Sequence, residues 1–268
     1  DFLDWEILHH ISKFIRASIL QKVLLKVVKK IVDIIILKKL KLISLVGISG
    51  GQVNQLQSRM DNKCKNSFIV PNTRVLLGLS FDGSDTDDSC KFLWVGNIGN
   101  NRSIEKMEQY KKVLEDRCKN ISIENIFIGK PWGLSADQLE AKNILGSYQS
   151  DSDVLALLPK SKTIGVFFGW SDVFGLGINE IGSPNKIYSY INLGIPFLIP
   201  KELKNIILEC NIDSCFVYDD EEDFINSANT LFNNYAFFCS KVRDLKTMVQ
   251  WEDSAGRGLQ AHYEELLK

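Results

Sequence analysis

Gly182-Ser-Pro-Asn-Lys-Ile-Tyr-Ser-Tyr-Ile-Asn-Leu-Gly-Ile-Pro-Phe-Leu-Ile-Pro200 holds a helix with both ends marked, followed by the start of a strand. Ser183 offers an N-cap oxygen, and Pro184 suits the first helical position, where its missing N–H costs nothing. Gly194 suits the left-handed residue that ends a helix. The spacing therefore predicts a helix from Ser183 to Gly194 and a short buried strand over Ile195–Ile199. The open N–H groups of such a helix start attract anions, and Lys186 in its first turn adds a full positive charge. The same residues also fit a surface helix with a solvated Lys186, and the neighbouring segments bear on the choice.

Upstream, Phe92-Leu-Trp-Val95 reads as a buried strand, Gly96-Asn-Ile-Gly-Asn-Asn-Arg102 as a glycine-bearing turn, and Ser103 to about Cys118 as a helix. Ile123–Ile128 is the next strand, before Gly129-Lys-Pro-Trp-Gly133. Asp151–Leu158 is a helix capped by Asp151 or Ser152, and Thr163–Phe168 another strand. Further on, Ile206 and Ile207 fall in a helix, and Ser214–Tyr218 is a strand before the acidic Asp219-Asp-Glu-Glu-Asp223. Strands alternating with helices predict a parallel sheet with right-handed crossovers. Ligands of such sheets sit at the carboxyl ends of the strands. Gly96–Arg102, Gly129–Gly133, Gly169–Ser171 and Ser183–Lys186 should then line one crevice.

The first part of the chain differs in character. From Ile11 to about Leu42, apolar residues recur at helical spacing between lysines, with Asp33 the only acid. This predicts a basic amphipathic helix that yields to a strand around Ile34–Leu37 or Leu42–Val46. Such a helix either lies on an anionic membrane surface or packs on its own domain with its lysines in water. Ser67–Val70 reads as a short strand. Phe81-Asp-Gly-Ser-Asp-Thr-Asp-Asp-Ser-Cys90 is the linker candidate, too polar to bury itself. The chain has no leading methionine, so sequence upstream of Asp1 is expected.

The 268 residues are 45% hydrophobic and 24% charged with a net charge of −1, a composition without bulk attraction to nucleic acid. Six scattered cysteines, no Cys-x-x-Cys and three histidines predict reduced thiols and no metal site. The location this implies is cytoplasmic, peripheral at the inner face of the membrane if the basic helix binds there. Asp85-Thr-Asp87 reads as solvated linker and Asp151-Ser-Asp153 as a helix start, so neither Asp-x-Asp triplet is taken as a metal ligand.

From about Trp94 onward the order of these segments resembles the nucleotide-sugar-binding half of GT-B fold glycosyltransferases, in the retaining group. The likeness rests on Trp94-Val-Gly-Asn-Ile-Gly99, Asp151–Phe168, Ser183–Pro196 and the Trp251-Glu252 to Leu267 tail. The third is the most specific, being similar to the Ser-Pro-His/Asn-Lys-x-x-x-Tyr-x-x-x-Gly-x-Pro form of bacterial cell-surface polysaccharide and protein-glycan transferases. The resemblance implies an α/β protein of two Rossmann-like domains. Residues 1–80 would be the tail of an acceptor-side domain lacking its N-terminal part, 81–90 a linker and 91–250 the nucleotide-sugar domain. Residues 251–268 would form a helix crossing back to the first domain.

Transfer of a hexosyl or N-acetylhexosaminyl group from a nucleoside-diphosphate sugar, most commonly uridine-linked, to a glycan, lipid-linked or protein acceptor is the implied activity, in a chain able to oligomerise. No cofactor is implied beyond that substrate. In this scheme Lys186 and Arg102 would neutralise the leaving diphosphate. Gly96 and Asn97 would let it approach the backbone. Gly129, Tyr148, Ser183, Pro184, Asn185 and Ser189 would complete the nucleotide site. Many relatives carry a ribose-binding glutamate where this chain has Ser189. A non-catalytic nucleotide-sugar-binding partner subunit and a membrane-surface adaptor are the alternatives.

Overall fold

A computed structural model describes residues 44–47, 53–54, 57–58, 66–69, 78–83, 89–99, 103–119, 121–131, 134, 143–169, 184–248 and 257–266. The basic segment Ile11–Leu42, the centre of the linker at 84–88, Arg102, Gly182, Ser183 and Trp251 lie outside the described residues. Two short strands, β1 (Ser44–Gly47) and β2 (Asn66–Ile69), pair in parallel, where strands were expected over Leu42–Val46 and Ser67–Val70.

The main sheet has six strands: β3 (Cys90–Val95), β4 (Ile123–Ile128), β5 (Ile144–Gly146), β6 (Lys162–Val166), β7 (Phe197–Pro200) and β8 (Val217–Tyr218). Their order is β5-β4-β3-β6-β7-β8 and every pairing is parallel. The chain starts in the middle at β3, builds outward to β5, returns to β6 beside β3, and builds outward the other way. That reversal makes the β3–β6 boundary the switch point, where the connections diverge and leave a crevice.

β3 is buried along its whole length and β4 nearly so, as strands covered on both faces require. Lys91 at the N-terminal end of β3 reconciles its charge with burial by pairing with Glu124 on β4. The connecting helices are α1 (Glu105–Arg117), α2 (Asp151–Leu157), α3 (Asn185–Leu193), α4 (Lys204–Glu209), α5 (Glu221–Asn233), α6 (Tyr235–Met248) and α7 (Arg257–Leu266).

Several ends differ from expectation. The cap of α2 is Ser150, one residue before the expected Asp151 or Ser152. Its hydroxyl accepts from the Asp153 N–H at 3.3 Å while the Asp153 carboxylate accepts from the Ser150 N–H at 2.9 Å. This reciprocal pair satisfies two donors at once. The Asp153 pKa is lowered by the Gln149 N–H donating to its carboxylate at 2.9 Å, followed by the Ser150 N–H. The acidic run 219–223 is the start of α5. Asp220 caps it by accepting from the Asp223 N–H at 2.9 Å, and Glu221, Glu222 and Asp223 face the positive end of the helix. The segment Ser214–Phe216 is a 3-10 turn, so only Val217–Tyr218 of the expected strand is extended.

The linker candidate is anchored at both ends. Phe81 is buried and its N–H donates to the Leu193 carbonyl at 2.7 Å, Gly83 lies under the Tyr235 ring, and Cys90 already belongs to β3. Lys246 on α6 ties the same segment to α3, donating to the Leu79 and Asn192 carbonyls at 2.6 and 2.8 Å. Desolvation lowers the pKa of this lysine, and Asp151 counters part of that effect.

Near the 3-10 turn, Asp213 accepts from Lys241 and from the Cys215 N–H at 3.0 Å; Lys241, followed by Cys215, lowers its pKa to about 2. A carboxylate with a depressed folded pKa adds stability above its unfolded pKa and loses it as pH falls through the folded one. The group is part-exposed, so Asp213→Asn should cost only about 0.5–1 kcal/mol near neutrality. Urea midpoints of parent and variant should converge between about pH 4 and pH 2.

Candidate active site

Helix α3 opens one residue later than expected: Pro184 is extended at the N-cap, Asn185 is the first helical residue and Lys186 the second. The exit is as expected, with Gly194 left-handed at φ +71° and the Ile195 N–H returning to the Tyr190 carbonyl at 3.0 Å. Completing that left-handed turn takes Gly194 to Pro196, so β7 begins at Phe197 and not at Ile195.

The turns after β3 and β4 meet at their backbones. The Gly96 N–H donates to the Ile128 carbonyl at 2.9 Å, and the Ile98 N–H to the Lys130 carbonyl at 3.0 Å. Both turn glycines have positive φ, +112° at Gly96 and +151° at Gly129. A Cβ on Gly129 would overlap the Gly96 carbonyl oxygen and stand 2.7 Å from its carbonyl carbon, so no side chain fits there. Gly96 has the opposite surroundings. A Cβ there would stand 3.8 Å from Lys186 Cε, 3.9 Å from Lys186 Nζ and 3.9 Å from the Tyr148 hydroxyl. Gly96 thus leaves a small space into which a lysine and a phenol project. Ser103 closes the turn on its far side, donating to the Gly99 carbonyl at 2.6 Å and accepting from the Gly99 N–H at 3.0 Å.

Lys186 is held from below by aromatic faces. Its ammonium lies 3.2 Å from the Trp94 ring centroid and 5.0 Å from that of Phe167. The negative ring faces attract the charge and offset part of the cost of placing a cation at the positive end of a helix. The indole is fixed in turn, its N–H donating to the Asn97 carbonyl at 2.9 Å. The aromatic faces therefore favour the position of the lysine over the turn.

Of the residues singled out in the sequence, Gly96, Gly129, Tyr148 and Lys186 are brought together. Asn97 lies in the same turn with its side chain exposed, Pro184 is buried at the helix start, and Asn185 is exposed. Ser189 is 1% exposed inside α3, and its hydroxyl has no hydrogen-bond partner among the described residues. Trp94, Phe167 and Tyr190 were not anticipated as part of the site. The signals present were an aromatic on β3 two residues before Gly96, and a tyrosine one helical turn after the lysine. Among the described residues no three His, Cys, Asp or Glu side chains converge on a common point, and no helix is long and apolar enough to cross a membrane.

Neither a protein-family model nor a curated protein matches the chain. Solved structures do. A TarM variant of S. aureus in complex with fondaparinux, alpha-GlcNAc-glycerol and UDP matches with a TM-score of 0.62 at 12% identity, over 88% of this chain and 46% of TarM. The pneumococcal O-GlcNAc transferase GtfA, in complex with UDP and GlcNAc, matches at 0.57 and 8% identity, over 84% of this chain and 46% of GtfA. Sucrose-phosphate synthase from Thermosynechococcus elongatus matches at 0.53 and 12% identity, over 84% of this chain and 58% of that enzyme. The chain has the GT-B glycosyltransferase fold. It spans about half the length of the first two proteins. In this GT-B sheet, Gly96 and Lys186 stand at the switch point, where the fold opens its crevice.

Proposed function

We propose that the chain is the nucleotide-sugar-binding part of a glycosyltransferase. It would move a hexosyl or N-acetylhexosaminyl group from a nucleoside-diphosphate donor to a glycan, lipid-linked or protein acceptor. The observation that carries this reading is the convergence of Lys186 Nζ and the Tyr148 hydroxyl on Gly96 at the start of α3. A diphosphate seated over Gly96 would meet the ammonium, the first N–H groups of α3 and a backbone unobstructed by any Cβ. As the glycosidic bond breaks, negative charge develops on the leaving diphosphate, and a fixed cation in a partly buried site stabilises that charge without reorganising. Arg102 is proposed as a second cation, and Gly129 and Tyr148 as borders of the nucleoside; Ser189, buried inside α3, is left out of the proposed contacts. Uridine is the proposed base, supported by the UDP present in the TarM and GtfA complexes.

A second reading, a nucleotide-sugar-binding subunit that partners an active one, draws on Ser189, where many GT-B enzymes carry a glutamate, and on the match to a GtfA/B complex at a TM-score of 0.52. Incubation with UDP-sugars separates the two. Release of UDP with an acceptor present supports the enzyme, binding with no release in any acceptor mixture supports the partner subunit, and an absence of binding sinks both.

A further inference from the structure

We infer that Tyr190 is a positioning residue for the diphosphate site, its hydroxyl setting the spacing of β3 and β6 where the crevice opens. The inference rests on the proposed reading of that site. The pairing of β3 with β6 runs from Cys90↔Lys162 to Leu93↔Gly165 and stops there, while β3 stays paired with β4 to Val95↔Ile128 and β6 with β7 to Val166↔Leu198. At the level of Val95 and Val166 the two central strands have parted, and the Tyr190 hydroxyl occupies the gap. It accepts from the Val95 N–H at 3.3 Å and lies 3.0 Å from the Leu93 carbonyl and 3.2 Å from the Val166 carbonyl, sharing its one proton between them.

Two features make this a built arrangement. The Tyr190 ring lies flat against Gly165, where a Cβ would come 2.6 Å from ring atom Cγ, so the glycine is what admits the ring. The residue is fully buried, and desolvation raises its pKa far above the ordinary tyrosine value, which keeps the hydroxyl protonated and able to donate. Tyr190 is also four residues after Lys186, one turn along the same face of α3. One helix thus places a cation over the Gly96 turn and, a turn later, a hydroxyl on the amide that precedes Gly96. The height of Lys186 above the turn and the position of the turn are set by the same tyrosine.

Calorimetric titration of UDP and uridine into the parent, Tyr190→Phe, Lys186→Ala and the double variant tests this. The phenylalanine keeps the ring on Gly165 and removes only the hydroxyl. The expected result is a UDP affinity about tenfold lower in Tyr190→Phe, uridine affinity within about twofold of the parent, and no additional UDP loss when Lys186 is already alanine. A core role alone would weaken both ligands alike or add to the Lys186→Ala loss, and either outcome overturns the assignment, as does parent-like UDP binding. Those results leave the proposed function standing, whereas a parent without UDP affinity overturns both. If Tyr190→Phe does not fold, the Val95 amide resonance of the parent carries the test. UDP should shift it and uridine should not, and an unmoved resonance contradicts the inference.

Discussion

Gly129→Ala should destabilise the protein by about 3–5 kcal/mol and abolish nucleotide binding in whatever fraction still folds. The added methyl has nowhere to go, since it would overlap the Gly96 carbonyl oxygen. Its φ of +151° is also a conformation that a side chain strains. Relief requires the turns after β3 and β4 to separate, which breaks the Gly96 N–H to Ile128 carbonyl bond and moves Gly96 away from Lys186. Gly99→Ala is the matched control, with nothing among the described residues within 4 Å of its added methyl and no positive φ, and should change stability by less than about 0.5 kcal/mol. Urea unfolding of the two variants checks the contrast. Equal stability of Gly129→Ala and the parent would contradict the close packing of the two turns.

Lys186→Ala should lower nucleoside-diphosphate affinity by about ten- to hundredfold, the loss of a charge-assisted contact of about 1.5–3 kcal/mol. Uridine should weaken much less, because in the proposed site the base and ribose would lie away from the ammonium. From the sequence alone, an exposed first-turn lysine would contribute almost nothing to stability. The structure changes that expectation, because the ammonium rests on the Trp94 ring. Losing this contact should cost about 0.5–1 kcal/mol, less the few tenths regained by removing a cation from the positive end of α3. Calorimetry with UDP and uridine, beside a urea curve of the unliganded variant, reads both effects. Equal loss of the two ligands, or none, would remove Lys186 from the phosphate role.

The central sheet was legible because β3, β4 and β6 each lead into a short apolar run that ends at a glycine, 92–95 before Gly96, 126–128 before Gly129 and 166–168 before Gly169, a local sign of a buried strand running into a turn. β5 was missed because Ile144-Leu-Gly146 is too short to show a period. The acidic run 219–223 was assigned no element, because charge alone does not distinguish a loop from a helix start; the Asp220 cap with acids in the following turn was the available sign. Linker composition also misled at its ends, where single apolar residues anchor an otherwise polar stretch: Phe81 is buried although its neighbour Asp82 is exposed.

For the proposed site, the helix punctuation at Pro184 and Gly194 and the turn glycines carried local signals, so Lys186, Gly96 and Gly129 could be named as candidates from the sequence. The contacts that fix them could not. Trp94 under Lys186 and Tyr190 between β3 and β6 join residues far apart in the chain, and only the order of strands in the sheet brings them together.

A thermal-shift panel of uridine, guanosine, adenosine and thymidine diphosphates on the unmodified chain tests the account most directly. At about 100 times its dissociation constant a ligand bound only to the folded state adds about 2.7 kcal/mol of stability. The account predicts a concentration-dependent rise in melting temperature with uridine diphosphate that uridine at the same concentration does not match. A melting temperature unmoved by all four diphosphates would contradict it.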